Sequence, residues 1–252
     1  MKLFSKVIAV AALAAAQHVC AAGYELKFNL KGAKYEGKMV KLGTCKDLMD
    51  YTYIDSAVVK NGTVVFRGKL DGEKVLSLHI FPDESRALES ATGSLVLRPE
   101  ARVFMGNDKV EITAEGDSLQ KDLELYSSPV DYSNVVVKGP KQTLDFVELQ
   151  NALFAKAEEY EKASEAYHEF WGRREQSPLK EGVETYKASN AKHMEMTRCM
   201  YDFAKAHITE PVGLYVLGKY ASRFTLAEVE GLEAAVPAKL KTSVMGKEII
   251  SS

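Results

Sequence analysis

At Gly139-Pro140 the hydrophobic period of this chain changes, and that change constrains its fold more than any other feature. Before it, apolar and polar residues alternate. Tyr24, Leu26, Phe28 and Leu30 share one face while Glu25, Lys27, Asn29 and Lys31 take the other, the period of a half-buried strand. After it, Phe146, Leu149, Leu153, Ala157, Tyr160, Tyr167 and Trp171 step by three, four or seven, the stripe of a long helix. The pattern predicts an α+β chain of two domains. An antiparallel β-sandwich spans residues 23–139, and an α-helical domain built on a long helical hairpin spans residues 140–252.

Further strand signals fall at residues 38–42, 74–81, 94–97, 102–105, 109–113 and 134–138, with Gly, Asp and Pro clusters between them. Many short strands with frequent turns suit a sandwich. The stretch YIDSAVVKNGTVVFRGKL carries the clearest turn. Asn61-Gly62 is the pair that a type I′ turn favours, because both central residues need positive φ, and it predicts a β-hairpin. In the second half one helix is expected over residues 143–175, ended by Ser177-Pro178. Another follows, with Val183, Tyr186, Met196, Met200, Phe203 and His207 near one face. Pro211 suits a helix start, Thr225 and Glu228 have the spacing of a capping box, and Val236-Pro237 sets off a last short helix.

Residues 1–22 read as an address. Lys2 and Lys6 precede the apolar run 7–16, and small residues follow, the order of a secretory signal peptide cleaved after Ala22. Removing those lysines takes the formal charge from −2 to −4. A negative chain does not suit nucleic acid, and nothing after the leader is long and apolar enough to span a bilayer. Soluble export to the periplasm or cell envelope is expected. A lipidated Cys20 is the rival reading, although Gln17, His18 and Val19 make a poor lipobox. Cys45 and Cys199 remain, and export permits a disulfide between them as readily as two separate thiols.

Signatures of chemistry are few. Gly116-Asp117-Ser118-Leu119 spells a hydrolase block, yet no histidine has the Asp three residues before it that this chemistry needs, and the block closes a run of strands. A turn is the better reading. His79 sits alone on a strand, and His168, His193 and His207 have no i,i+4 partner, so no zinc site is predicted. Neither Cys45 nor Cys199 lies in a C-x-x-C pair, and no phosphate-binding glycine loop occurs. Tyr51 and Tyr53 share a strand face on which a saccharide platform is conceivable, with core packing as the simpler role. Met194, Met196, Met200 and Phe203 read as helix packing. The expectation is a chain with no catalytic, cofactor-binding or metal-binding residues and no enzymatic activity.

Several of these segments resemble a known domain. The strand at Tyr24–Lys31, then Ile54-Asp55-Ser56-Ala57, Asn61-Gly62, Phe66-Arg67-Gly68, and the closing strand running from Lys109 to Asp117 resemble, in this order, domain of unknown function (DUF) 4369. Val137-Lys138-Gly139 before a long helix fits it too. Residues 207–217 and 224–232 resemble the helical segment that joins this domain to a thioredoxin-like domain in envelope thiol–disulfide oxidoreductases of the AhpC/TSA or TlpA/ResA kind. The resemblance implies an exported envelope module that docks a thioredoxin-fold protein or another envelope protein. It also implies the alternative of an accessory half whose redox domain is missing or separately encoded. The catalytic cysteines of that family have no counterpart here, so Cys45 and Cys199 inherit no role.

Overall fold

A computed structural model of the chain describes residues 23–45, 51–81, 98–115, 119, 121–122, 129–172 and 179–250. The leader, the strand expected at 94–97 and Gly116-Asp117-Ser118 lie outside the described residues. The change of period is the boundary between two kinds of structure. Among the described residues nine strands precede it: β1 (Tyr24–Lys31), β2 (Met39–Cys45), β3 (Tyr51–Val58), β4 (Thr63–Gly68), β5 (Lys74–Phe81), β6 (Arg98–Met105), β7 (Lys109–Glu115), β8 (Lys121–Asp122) and β9 (Val135–Lys138). Among the described residues six α-helices follow: α1 (Lys141–Gly172), α2 (Leu179–His207), α3 (Pro211–Tyr220), α4 (Leu226–Ala235), α5 (Ala238–Lys241) and α6 (Val244–Ile250).

The strands form a sandwich of two sheets, ordered β4-β1-β7-β9 and β3-β2-β5-β6-β8. Between them lies one core, to which Leu26, Phe28, Val40, Leu42, Phe66, Leu76, Leu78, Ile80, Val103 and Ile112 contribute. Among the described residues every ladder is antiparallel except β1 with β7, which run parallel with Phe28 opposite Ile112. The outward face of β1 and its neighbours is a solvated polar lattice. Asn29 bonds Glu111 at 2.6 Å and Thr113 at 3.2 Å, and Lys27 pairs with Glu111 at 3.3 Å.

The expected hairpin at Asn61-Gly62 is corrected in one respect. Its turn is present: Asn61 and Gly62 have φ of 51° and 67°, and Lys60 and Thr63 exchange both backbone hydrogen bonds at 3.1 Å. Its arms do not pair with each other. β3 pairs with β2 in one sheet, and β4 with β1 in the other. The cause is Val59, fully buried, whose backbone bonds Lys38 and Gly37 and carries the chain across the sandwich. The turn therefore joins the two layers.

α1 and α2 form the long helical hairpin, but their contact stripe differs from the expected one. Phe146, Leu149 and Leu153 are buried on α1 as predicted, whereas the stripe then runs through Ser164 and Phe170, leaving Trp171 exposed. On α2 the buried set is Gly182, Ser189, Met196, Thr197, Met200 and Ala204, so Val183 and Tyr186, expected inside, face solvent. Small residues at 182 and 189 let the helices approach closely, and the larger neighbours are turned out. The Thr225 capping box forms as predicted, its hydroxyl accepting from Glu228 N while Glu228 accepts from Thr225 N.

The helical half is seated on the outer face of the five-stranded sheet. Val75 and Phe104 on that face pack with Phe146 of α1 and Val212 of α3. The Thr143 hydroxyl donates to Phe104 O at 2.7 Å, and Gln150 accepts from Val130 N at 3.2 Å. Leu149, Leu153, Met196, Met200 and the residues of α3 and α4 make a second core around the base of the hairpin. Among the described residues, this core takes no side chain of α1 beyond Ala157 and none of α2 before Met196.

Candidate functional site

Three places gather chemically able side chains. The first follows from strand alternation. On β5 and β6, Val75, Ser77, His79 and Phe81 share the outer face with Glu100, Arg102 and Phe104, and the register sets His79 opposite Glu100. Near the helices this face is apolar. Further along it becomes a buried charge cluster, with His79 at 2%, Glu100 at 1% and Arg102 at 6% exposure. Arg102 donates to Glu100 through two nitrogens at 2.5 and 2.9 Å, and His79 Nε2 lies 3.3 Å from the same carboxylate. The Tyr53 hydroxyl lies 3.3 Å from His79 Nδ1. A hydrogen-bonded chain thus runs from Tyr53 through His79 to Glu100 and Arg102. His79 turns one ring nitrogen to the Glu100 carboxylate and the other to the Tyr53 hydroxyl, the tautomer setting which of them donates.

Tyr53 is 38% exposed on this outer face, not in the core where packing was expected to place it. The ammonium of Lys41 sits 4.5 Å from the Phe81 ring centroid and 5.1 Å from that of Tyr53, in cation–π range. The side chains of Tyr51 and Cys45 lie outside the described ones. Behind the cluster, burial pushes the Tyr132 hydroxyl well above its usual pKa. That hydroxyl donates to Arg102 O and accepts from Arg102 N, closing the strand's open edge. Leu119 of the hydrolase-like block is a core residue.

The second place is the distal hairpin. Leu179, Val183 and Tyr186 recur at i, i+4 and i+7 on α2, a full helical stripe, and are 78%, 42% and 54% exposed. Trp171, 59% exposed at the end of α1, continues the patch through Tyr167, whose ring is 6.2 Å from Trp171 and 5.8 Å from Tyr186. Beside it a cleft of about 260 Å³ between the helices is lined by Tyr160, Tyr167, Tyr186, Asn190 and the two histidines His168 and His193. Its wall includes Ser164 and Ser189, which bond each other at 2.9 Å.

The third place is the corner where α1, α2 and α3 meet. Asp145, His207 and Glu210 come together there, with His207 Nδ1 3.3 Å from Glu210 and 3.7 Å from Asp145. Screening Cys and His spacing alone misses this group, because carboxylates supply two of the three atoms. The His207-x-x-Glu210 spacing was a usable signal, whereas Asp145 is distant in sequence. Cys199 is on α2, half-buried, and burial pushes its thiol up, away from the thiolate that a redox nucleophile requires.

Among the described residues no helix is long and apolar enough to cross a membrane. No curated protein gives a significant match to the chain. The family model described as a domain of unknown function, DUF4369, matches residues 24–146. The match begins with β1 and ends at Phe146, the α1 ring that packs on the outer face of the sheet. The β-sandwich of this chain, with the first turns of the helix seated on it, is a DUF4369 domain.

Proposed function

We propose that the protein is an exported, non-catalytic envelope module that docks a partner protein through the distal end of its helical hairpin. The partner we favour has a thioredoxin fold. The observation that carries this reading is the exposed stripe Leu179, Val183 and Tyr186, continued by Trp171. Contiguous exposed apolar surface of this kind is unusual for a monomer and marks an interaction site, and its aromatic members are the types that dominate interface energetics. A hairpin held at its base by a packed core presents that stripe at its far end. The DUF4369 domain and the resemblance of residues 207–217 and 224–232 to the helical joint of envelope oxidoreductases support the redox setting, and the leader-like sequence of residues 1–22 supports export.

Site-specific photo-crosslinking at position 171 in the native envelope tests the docking. The expected result is a single adduct with a thioredoxin-fold protein, abolished by Leu179→Glu with Val183→Glu. An adduct pattern identical to that from an exposed position on α4 would remove the hairpin tip as the docking surface. Insulin reduction by the purified chain tests the non-catalytic part, where turnover above that of a cysteine-free variant overturns it.

A further inference from the structure

We propose that Asp145, His207 and Glu210 form a binding site for a divalent transition-metal ion of the zinc class, with Lys141 as the side chain that the ion displaces. The three donor atoms converge within 4.8 Å of one another, from the first turns of α1, the last residue of α2 and the residue before α3. Around tetrahedral zinc, bonds of about 2.0–2.1 Å put neighbouring donors roughly 3.3 Å apart. His207 Nδ1 already lies 3.3 Å from Glu210 Oε2 and 3.7 Å from Asp145 Oδ2. One imidazole nitrogen with two carboxylates suits zinc, cobalt or nickel rather than calcium or magnesium, which take all-oxygen shells.

The supporting backbone is fixed before any ion arrives. Glu210 N donates to His207 O at 2.8 Å, closing the corner that holds both ligands. Gly213 passes so close beneath that an added Cβ would meet His207 O at 2.0 Å. The Phe203 ring stacks on the imidazole at 4.3 Å and sets its plane. Asp145 follows Thr143, whose hydroxyl is bonded to the sheet at Phe104. Donors on rigid elements are what a metal site needs.

Lys141 occupies the remaining approach. Its ammonium is 2.6 Å from Asp145 Oδ2 and 3.5 Å from Glu210 Oε2, on a side chain that is 67% exposed and free to swing out. Two carboxylates thus already hold one cation, and a divalent ion takes its place while gaining the imidazole. A bound ion would clamp the start of α1, and with it the sheet, to the corner between α2 and α3.

The test uses the tag-free full chain with its cysteines changed to serine, so that neither thiols nor an affinity tag captures metal. Zinc titration by calorimetry and cobalt titration by visible absorption should each give one ion per chain. His207→Ala should weaken binding by on the order of tenfold or more. Lys141→Met should tighten it several-fold, and zinc should raise the thermal midpoint of the parent and of Lys141→Met but not of His207→Ala. Should His207→Ala fail to fold, Asp145→Asn reads the same loss. A folded chain that binds no zinc, binds it equally well without His207, or binds it less well without Lys141 overturns the proposal.

Discussion

Arg102 grips Glu100 from two residues along the same strand, Nε to Oε1 at 2.5 Å and Nη2 to Oε2 at 2.9 Å, and both side chains are buried. A buried pair costs desolvation of both ions, so its net stabilisation is small while the loss of one partner is large. Glu100→Gln keeps the shape but removes the buried charge that Arg102 grips, and Arg102→Met removes the guanidinium that holds the buried carboxylate. Each single change is expected to cost about 3–5 kcal/mol. Glu100→Leu with Arg102→Met should cost markedly less than either. Urea unfolding of the four proteins measures this, and additive losses in the double variant would remove the pairwise account.

The same cluster sets an acid limit. Burial alone would raise the Glu100 carboxyl, but the His79 hydrogen bond and the field and hydrogen bonds of Arg102 win, bringing it from 4.5 to about 2. The folded value is depressed, so its stabilisation is complete above the unfolded value and disappears as pH falls from 4.5 through about 2. The loss across that window is on the order of 3 kcal/mol. Thermal unfolding followed from pH 7 downward should show the parent losing stability there, and Glu100→Gln should show a flatter profile over the same range.

Gly62 gives a local test of the turn that joins the sheets. Its φ is 67°, and a Cβ there would lie 2.9 Å from Leu30 O, whose own amide is bonded to Gly62 O at 2.8 Å. The Glu36 carboxylate accepts from the amides of Asn61 and Gly62 at 3.0 Å each, which holds the turn in place. Gly62→Ala combines the left-handed penalty of about 1–2 kcal/mol with a backbone clash. Asn61→Gly removes the same penalty at the neighbouring position and should be near neutral. Chemical denaturation of the pair should separate them by at least about 1 kcal/mol.

How much of this was legible follows from what each signal encodes. Alternation along Tyr24–Lys31 reports which side chains face the core, and every one of them does as read. Alternation carries no record of the neighbouring strand, so Asn61-Gly62 revealed its turn but not that its arms enter different sheets. The helical stripe was read as one seam from Val183 to His207. The seam instead follows Gly182 and Ser189, because small residues rather than large ones mark the closest approach of two helices. Spacing rules find Thr225 with Glu228, which are local, and cannot find Asp145 beside His207, which the α1–α2–α3 corner brings together.

That small-residue seam supports a last prediction. Gly182 faces Phe170 so closely that a Cβ would stand 2.4 Å from the ring, and Phe170 is the last buried residue of α1. Alanine at 182 is the better helix former by up to about 1 kcal/mol, so intrinsic propensity favours the change and packing opposes it. The ring must move, and the helices part in a stretch that, among the described residues, adds nothing to the core at the hairpin's base. The effect should be local, because stability is not uniform and the distal hairpin lacks the core that ties down its base. Hydrogen exchange in Gly182→Ala should quicken at 160–172 and 179–190, while protection in β1, β5 and β6 stays unchanged. Phe170→Leu added to Gly182→Ala should restore part of the lost protection, since a smaller side chain makes room for the methyl. Slowed exchange in Gly182→Ala would mean that helix propensity outweighs the contact, and the close approach at Phe170 would no longer account for the seam.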